Sequence, residues 1–311
     1  MSSTTKSVVQ RFGSHLSIAG GLHLALERAQ AVGCDCLQVF VKNQKQWVGK
    51  PLTDEDVRLF RRAQRETGIK PVVAHASYLI NLGSPDDAMW NRGIAAVVDE
   101  LQRCEALGIR GLVLHPGAHM GEGEEAGLTR IAAGLDDVHR RAPGLAAKVL
   151  LETTAGQGTA LGWRVEHLGS ILQRVAAPDR LGVCLDTCHL FAAGYDLRDA
   201  AACDQLVGAL KRHVTLRRVA CIHVNDSKTP LASRVDRHTH IGDGHIGADG
   251  FRNILRDTRL ARAPRILETP KGENDQGEDF DAVNLRTLRG YVRPERPRPK
   301  SVSARRGPQN H

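Results

Sequence analysis

Short apolar runs in this sequence end at His75, His115, Glu152, Asp186, His223 and Glu268, and His189, Asp236 and His238 follow close behind two of them. Imidazoles and carboxylates are the ordinary protein ligands of divalent cations. One ion usually takes three or four of them, so five histidines and four carboxylates fit two or three ions, the more so if one carboxylate bridges a pair. A donor set without committed Cys ligands suits zinc, with manganese the alternative for the carboxylate-rich part. Singly, each residue has a plain structural explanation. His75 or His223 fits a hydrogen-bonded strand-end histidine, Glu152 or Glu268 an ion-pair partner, and Asp236, between Arg234 and Arg237, the cap of a turn. Their recurrence at one strand end after another is what argues for a site. The densest example is LGVCLDTCH (181–189), where a buried run stops at a carboxylate and turns to present an imidazole.

The elements that must position these residues alternate eight times. Strand-like runs cover 8–14, 36–41, 71–76, 111–114, 149–151, 181–186, 219–224 and 265–267, with helix-like stretches between them. One helix is expected to open at Thr53, followed by Asp54, Glu55 and Asp56, where a capping hydroxyl and first-turn acids suit a helix N-terminus. Another carries Ile94, Val97, Val98, Leu101 and Cys104 on one face. Short strands without polar alternation, separated by amphipathic helices, indicate a parallel sheet buried on both faces. Eight units fit a single-domain α/β fold, a (β/α)8 TIM barrel over 11–290, better than an open doubly wound sheet. In a barrel the strand ends converge on one mouth. The run 242–247 matches G-x-G-x-x-G but follows no apolar strand, and it reads as a flexible loop letting His238 reach a metal.

Composition narrows the function classes. No apolar run reaches the about 18 residues of a membrane helix, and the start has no secretory core, which points to a cytoplasmic protein without a membrane partner. Seven cysteines, an odd number, fit reduced thiols, with Cys34, Cys36, Cys184 and Cys188 as small core residues. Of the net charge of +8, five units fall in residues 290–311. A flexible start at 1–10 and a disordered basic, Pro-rich tail at 291–311 are therefore expected on either side of the barrel.

The runs GSHLSIAGG (13–21), KNQKQW (42–47), HASYLINLG (75–83), HPGAH (115–119), LETTAGQG (151–158), CLDTCHLFAAGYD (184–196), IHVNDSK (222–228), DRHTHIGDGHIG (236–247) and LETP (267–270) resemble the endonuclease IV family of zinc-dependent apurinic/apyrimidinic endonucleases. The likeness spans residue 13 to about 290. It implies three Zn2+ ions: one on His75, His115 and Glu152, a second on Glu152, Asp186, His223 and Glu268, and a third on His189, Asp236 and His238. It also implies hydrolysis of duplex DNA 5′ to an abasic site, or at blocked 3′ ends, by a monomer, with Glu268 or Glu152 orienting the attacking water. The loops bearing Asn43, Gln44, Lys45 and Trp47, and Tyr78 with Leu79, resemble the family's DNA-penetrating segments. Lys45 stands where many members carry Arg, which weakens planar stacking there. A sugar isomerase or epimerase on the same barrel, and a noncatalytic lesion-binding barrel, are the competing readings.

Overall fold

The computed structural model describes residues 9–292. In chain order the strands are β1 (Phe12–His15), β2 (Cys36–Phe40), β3 (Val72–His75), β4 (Gly111–Leu114), β5 (Gly117–Ala118), β6 (Lys148–Glu152), β7 (Ala160–Leu161), β8 (Leu181–Asp186), β9 (Val219–His223), β10 (Asp226–Ser227), β11 (His238–Thr239) and β12 (Arg265–Leu267). The helices are α1 (Leu22–Ala31), α2 (Asp54–Thr67), α3 (Asp87–Leu107), α4 (Glu124–Arg141), α5 (Val165–Arg174), α6 (Thr187–Ala193), α7 (Ala200–His213), α8 (Gly247–Arg256) and α9 (Phe280–Val292). Eight strands close a parallel barrel in the order β1-β12-β9-β8-β6-β4-β3-β2, as the alternation of the sequence leads one to expect. Two small antiparallel ribbons, β5 with β7 and β10 with β11, lie outside the barrel sheet and have no counterpart in the sequence reading.

Two cores explain why the strands lack polar alternation. The inner one is small: Cys36, Val73, Val113, Leu150, Cys184, Cys221 and Ile266 fill the barrel. The outer one packs strand residues such as Leu37, Leu112 and Leu151 against helix faces. The thiols suit the inner layer because space there is tight. A Cβ on Gly13 would lie 1.9 Å from the Cys36 carbonyl oxygen, so only glycine fits that crossing. All seven cysteines are buried and unpaired.

The helices form where local chemistry specifies them. Thr53 accepts the Asp56 N–H while the Asp56 carboxylate takes the Thr53 N–H, a reciprocal cap worth about 1 kcal/mol, and Gly68 ends α2 at φ 69°. On α3, Ile94, Val97, Leu101 and Cys104 are buried as their spacing predicts, and Val98 is partly so. The expected segments 1–10 and 291–311 lie outside the described residues, except for 9–10 and 291–292. The closing helix runs on through Val292, and its Tyr291 stacks over Phe251, 6.4 Å between ring centroids.

One histidine far from the barrel mouth makes a prediction. His139 on α4 is 8% exposed and neither ring nitrogen has a hydrogen-bond partner. Burial, helped by Arg180, lowers its pKa to about 4 from 6.5. Below pH 6.5 the unfolded chain therefore binds a proton that the folded chain refuses, and stability falls as pH drops. The loss is about 2 kcal/mol at pH 5. His139→Leu should reduce the drop in urea midpoint between pH 7.5 and 5; an unchanged drop would refute a neutral buried His139.

Candidate metal centre

Barrel geometry gathers the strand-end residues at one mouth. His75, Glu152, Asp186 and His223 are the last residues of β3, β6, β8 and β9, while His115 and Glu268 come one residue beyond β4 and β12. Asp186 and His223 sit opposite one another in the β8–β9 register. Asp186 also caps α6: its Oδ1 accepts the His189 N–H at 2.8 Å, which fixes where that imidazole starts. The short helix α6 was not anticipated, and it is what turns His189 into the mouth.

The side chains converge into three groups whose donor atoms all lie within 4.8 Å of one another: His75, His115 and Glu152; Glu152, Asp186, His223 and Glu268; and His189, Asp236 and His238. Glu152 belongs to two of them. Its carboxylate lies 3.2 Å from His75 Nε2, 3.1 Å from His115 Nε2 and 2.9 Å from His223 Nδ1. Asp236, on the loop before β11, lies 3.0 Å from His189 Nε2 and 3.2 Å from His238 Nε2. Three thiols also fall within reach, Cys184 and Cys221 beside His223 and Cys188 beside Asp186 and His238; burial pushes Cys184 up and Cys188 to about 12, while the Cys184 hydrogen bond and His223 lower Cys221 to about 6.

The imidazoles are already oriented. His75 Nδ1 faces the Ala76 carbonyl at 2.7 Å, His189 Nδ1 that of Thr153 at 2.8 Å, and His238 Nδ1 that of Glu268 at 3.2 Å. A carbonyl only accepts, so these nitrogens carry the hydrogen and each Nε2 lone pair points into the mouth. His238 Nε2 is buried and makes no hydrogen bond, while facing the carboxylates of Asp236 and, at 3.7 Å, Asp186. A lone pair aimed at two anions is unfavourable unless a cation lies among them, and the donor chemistry of all three groups fits divalent ions.

Charge is concentrated accordingly. Burial disfavours ionisation of Glu152, but the His223 and His115 imidazoles outweigh it and hold its carboxyl well below the usual carboxylate range. For His238, burial lowers the pKa, but Asp186 and Asp236 outweigh it and raise the value to about 9. The anions that draw a proton to Nε2 when the group holds no cation are thus the same ones that a divalent ion would neutralise in its place.

The loop 242–247 is the main correction to the sequence reading. It is not loose: the buried Asp226 carboxylate accepts N–H bonds from Ser227, Gly242, Gly244 and Ile246 at 2.8–3.1 Å. A Cβ on Gly244 would lie 2.4 Å from Asp226 Oδ1, so that glycine allows the wrap. With Ser227 opposite His238 in the β10–β11 register, the loop is a fixed arm holding His238 in place.

Around the mouth, exposed Tyr78 and Leu79 stand on the loop after β3. Tyr78 packs its edge against His115, ring centroids 5.7 Å apart, and lines two cavities. A cavity of about 330 Å³ lies over His75, His115, His189 and Asp236, and one of about 690 Å³ over His15, Asn43, Gln44 and Glu268. Asn43 and Lys45 are exposed and Gln44 is half-buried. Trp47 is placed differently from its neighbours. It is partly buried against the core, with the Arg92 guanidinium 4.5 Å above its ring, so it anchors the loop from below.

The comparisons with known proteins agree with this geometry. A family profile described as "Xylose isomerase-like TIM barrel" matches residues 26–286. The sequence is 51% identical over 283 residues to a protein of Chloroflexus aggregans named "Probable endonuclease 4", covering 91% of this chain and 98% of that one. A protein of Geotalea daltonii with the same name is 48% identical over 281 residues, 90% and 98% of the two chains. The chain belongs to the endonuclease IV family. The crystal structure of endonuclease IV from Thermus thermophilus superposes with a TM-score of 0.78 at 38% identity, covering 91% of this chain and 98% of that one. A D-tagatose 3-epimerase-like protein, 18% identical with a TM-score of 0.70 over 91% and 97% of the chains, shares the fold alone. No described helix is long and apolar enough to cross a membrane.

Proposed function

We propose that this chain is a DNA-repair endonuclease that hydrolyses the phosphodiester 5′ to an abasic site in duplex DNA, leaving a 3′-hydroxyl and a 5′-deoxyribose phosphate. The observation that carries the proposal is the convergence of nine imidazoles and carboxylates into three groups in one barrel mouth, sharing Glu152. The proposal takes His75, His115 and Glu152 as holding one Zn2+, Glu152, Asp186, His223 and Glu268 a second, and His189, Asp236 and His238 a third. Manganese is the alternative in the carboxylate-rich group. Bound divalent ions would supply positive charge for the anionic phosphodiester, a lowered pKa for water and stabilisation of the departing alkoxide.

The chain's own residues do the rest. Glu268 keeps 10% side-chain exposure where Glu152 has none, which favours Glu268 of the two as the carboxylate that orients the attacking water in this proposal. Tyr78 and Leu79 project beyond the mouth as apolar wedges, and Asn43, Gln44 and Lys45 flank them for the backbone; such wedges hold a bent duplex open. A nucleotide without a base is the least costly to extrude, which favours abasic sites. The proposal takes the protein as a monomer acting in the cytoplasm, with blocked 3′ ends as further substrates.

The third donor group, His189 with Asp236 and His238, favours this function over a sugar isomerase or epimerase, which needs one or two ions.

A duplex oligonucleotide with one tetrahydrofuran abasic mimic tests the proposal. The mimic cannot undergo β-elimination, so a cut there is hydrolytic. A single incision 5′ to the mimic, with a 3′ end that a polymerase extends, is expected. An intact strand, or a cut on the 3′ side, would overturn the proposal.

A further inference from the structure

We propose that Gln38, in the middle of β2, is a positioning residue that sets the tautomer of His223 and the rotation of the Glu268 carboxylate. This rests on the metal-centre reading above and deepens it.

Three of the imidazoles at the mouth have a backbone carbonyl at their second nitrogen; His223 instead faces a side chain. Its Nε2 lies 2.8 Å from Gln38 Oε1, across 185 residues of sequence. The amide oxygen only accepts, so Nε2 carries the hydrogen and the Nδ1 lone pair is left free. That lone pair faces Glu152 Oε1 at 2.9 Å, Glu268 Oε2 at 3.2 Å and Asp186 Oδ2 at 3.7 Å. The tautomer that Gln38 selects is therefore the one that offers His223 to a cation among three carboxylates.

The other end of the same amide acts on Glu268. Gln38 Nε2 donates to Glu268 Oε1 at 2.6 Å and lies 3.0 Å from His15 Nδ1. With Oε1 held, Oε2 is the oxygen left turned toward His223 Nδ1. Glu268 dictates the direction of the amide: reversed, its oxygen would face a carboxylate oxygen. Gln38 is fully buried, so water does not substitute for either bond. One carboxamide thus orients two donors of the same group while itself touching none of the positions a cation would take.

The test compares the full-length protein with Gln38→Met, which keeps the volume and loses both bonds, and Gln38→Glu, which keeps an acceptor for His223 but sets an anion against Glu268. Each protein is loaded with zinc and challenged with a graded chelator, and the cobalt-substituted forms are compared by visible absorption. Outer hydrogen-bond partners of metal ligands are worth roughly 10–100-fold in metal affinity. Both variants are expected to release one equivalent at roughly 10–100-fold lower chelator strength, with altered cobalt bands. A merely structural role would lower the melting temperature of the stripped protein and leave the cobalt spectrum unchanged. Wild-type metal retention and wild-type cobalt bands in either folded variant would overturn the assignment. A wild-type protein that retains no metal would instead overturn the reading on which it rests.

Discussion

Glu152→Gln is expected to lower incision of an abasic-site duplex by roughly 10³-fold or more, equivalent to ~4 kcal/mol of lost transition-state stabilisation. Its carboxylate lies within 3.4 Å of four imidazoles, those of His75, His115, His189 and His223, and it is the one side chain shared among the three proposed ion sites. Gln has the same shape but carries no charge and points an NH2 at nitrogens whose lone pairs need a cation. Metal content should fall with activity, because the shared anion offsets the charge of two neighbouring ions. The check is turnover on the tetrahydrofuran duplex together with elemental analysis of the same sample and thermal melting of the stripped form. A folded variant with wild-type metal content and turnover would remove Glu152 from the centre.

The second large effect is expected beneath the DNA-facing loops. Lys42, only 3% exposed, donates to the Trp47 carbonyl at 2.9 Å and lies 3.1 Å from Glu100, itself 1% exposed. Glu100 in turn faces the Ser77 N–H at 3.3 Å, and Ser77 Oγ donates to the Gln44 carbonyl at 2.6 Å. One buried ion pair thus ties the 43–47 loop to the loop of Tyr78 and Leu79. Burial raises the Glu100 pKa and Lys42 opposes that rise. Lys42→Met leaves Glu100 buried without its cation, a loss of about 3–5 kcal/mol in stability. It should also weaken binding of lesion DNA by roughly tenfold or more, with a smaller change in turnover at saturation, since no proposed ligand is touched. The double variant Lys42→Met/Glu100→Gln removes both charges and should recover part of the stability. A double variant as unstable as the sum of the two single changes would rule out the pair as the tie.

Much of the site was legible because the fold turns one-dimensional order into convergence. A residue at the C-terminal end of a barrel strand faces the mouth whichever strand it ends, so His75, Glu152, Asp186 and His223 needed only their strands to be recognised. The α2 cap was equally local, since Thr53 and Asp56 lie one turn apart. What was missed depends on partners far away in sequence. Gln38 bonds to residues 185 and 230 positions on, and although it is the one amide in the apolar run CLQVF, the run does not say which partners it finds. His15 likewise meets Glu268 across 253 residues. Asp226 was hidden for another reason. Its neighbours read as a Gly-rich loop, and glycines that permit looseness also permit a tight wrap around a carboxylate, so the rigidity of the His238 arm shows only in the bonds it makes. How far Trp47 is buried, partly against the core with Arg92 over its ring, was likewise not legible, because exposure is not written in a short polar run.

The most direct test of the multi-ion centre is incision of the tetrahydrofuran duplex by metal-stripped protein titrated with zinc, with bound metal counted at each point. Three groups of donors sharing one mouth predict activity that is lost on stripping and reaches its maximum only as bound zinc approaches about three per chain. Full incision by the stripped protein, or a maximum at a single ion with the remaining equivalents left in solution, would contradict the assignment of His75, His115, Glu152, Asp186, His189, His223, Asp236, His238 and Glu268 to one catalytic centre.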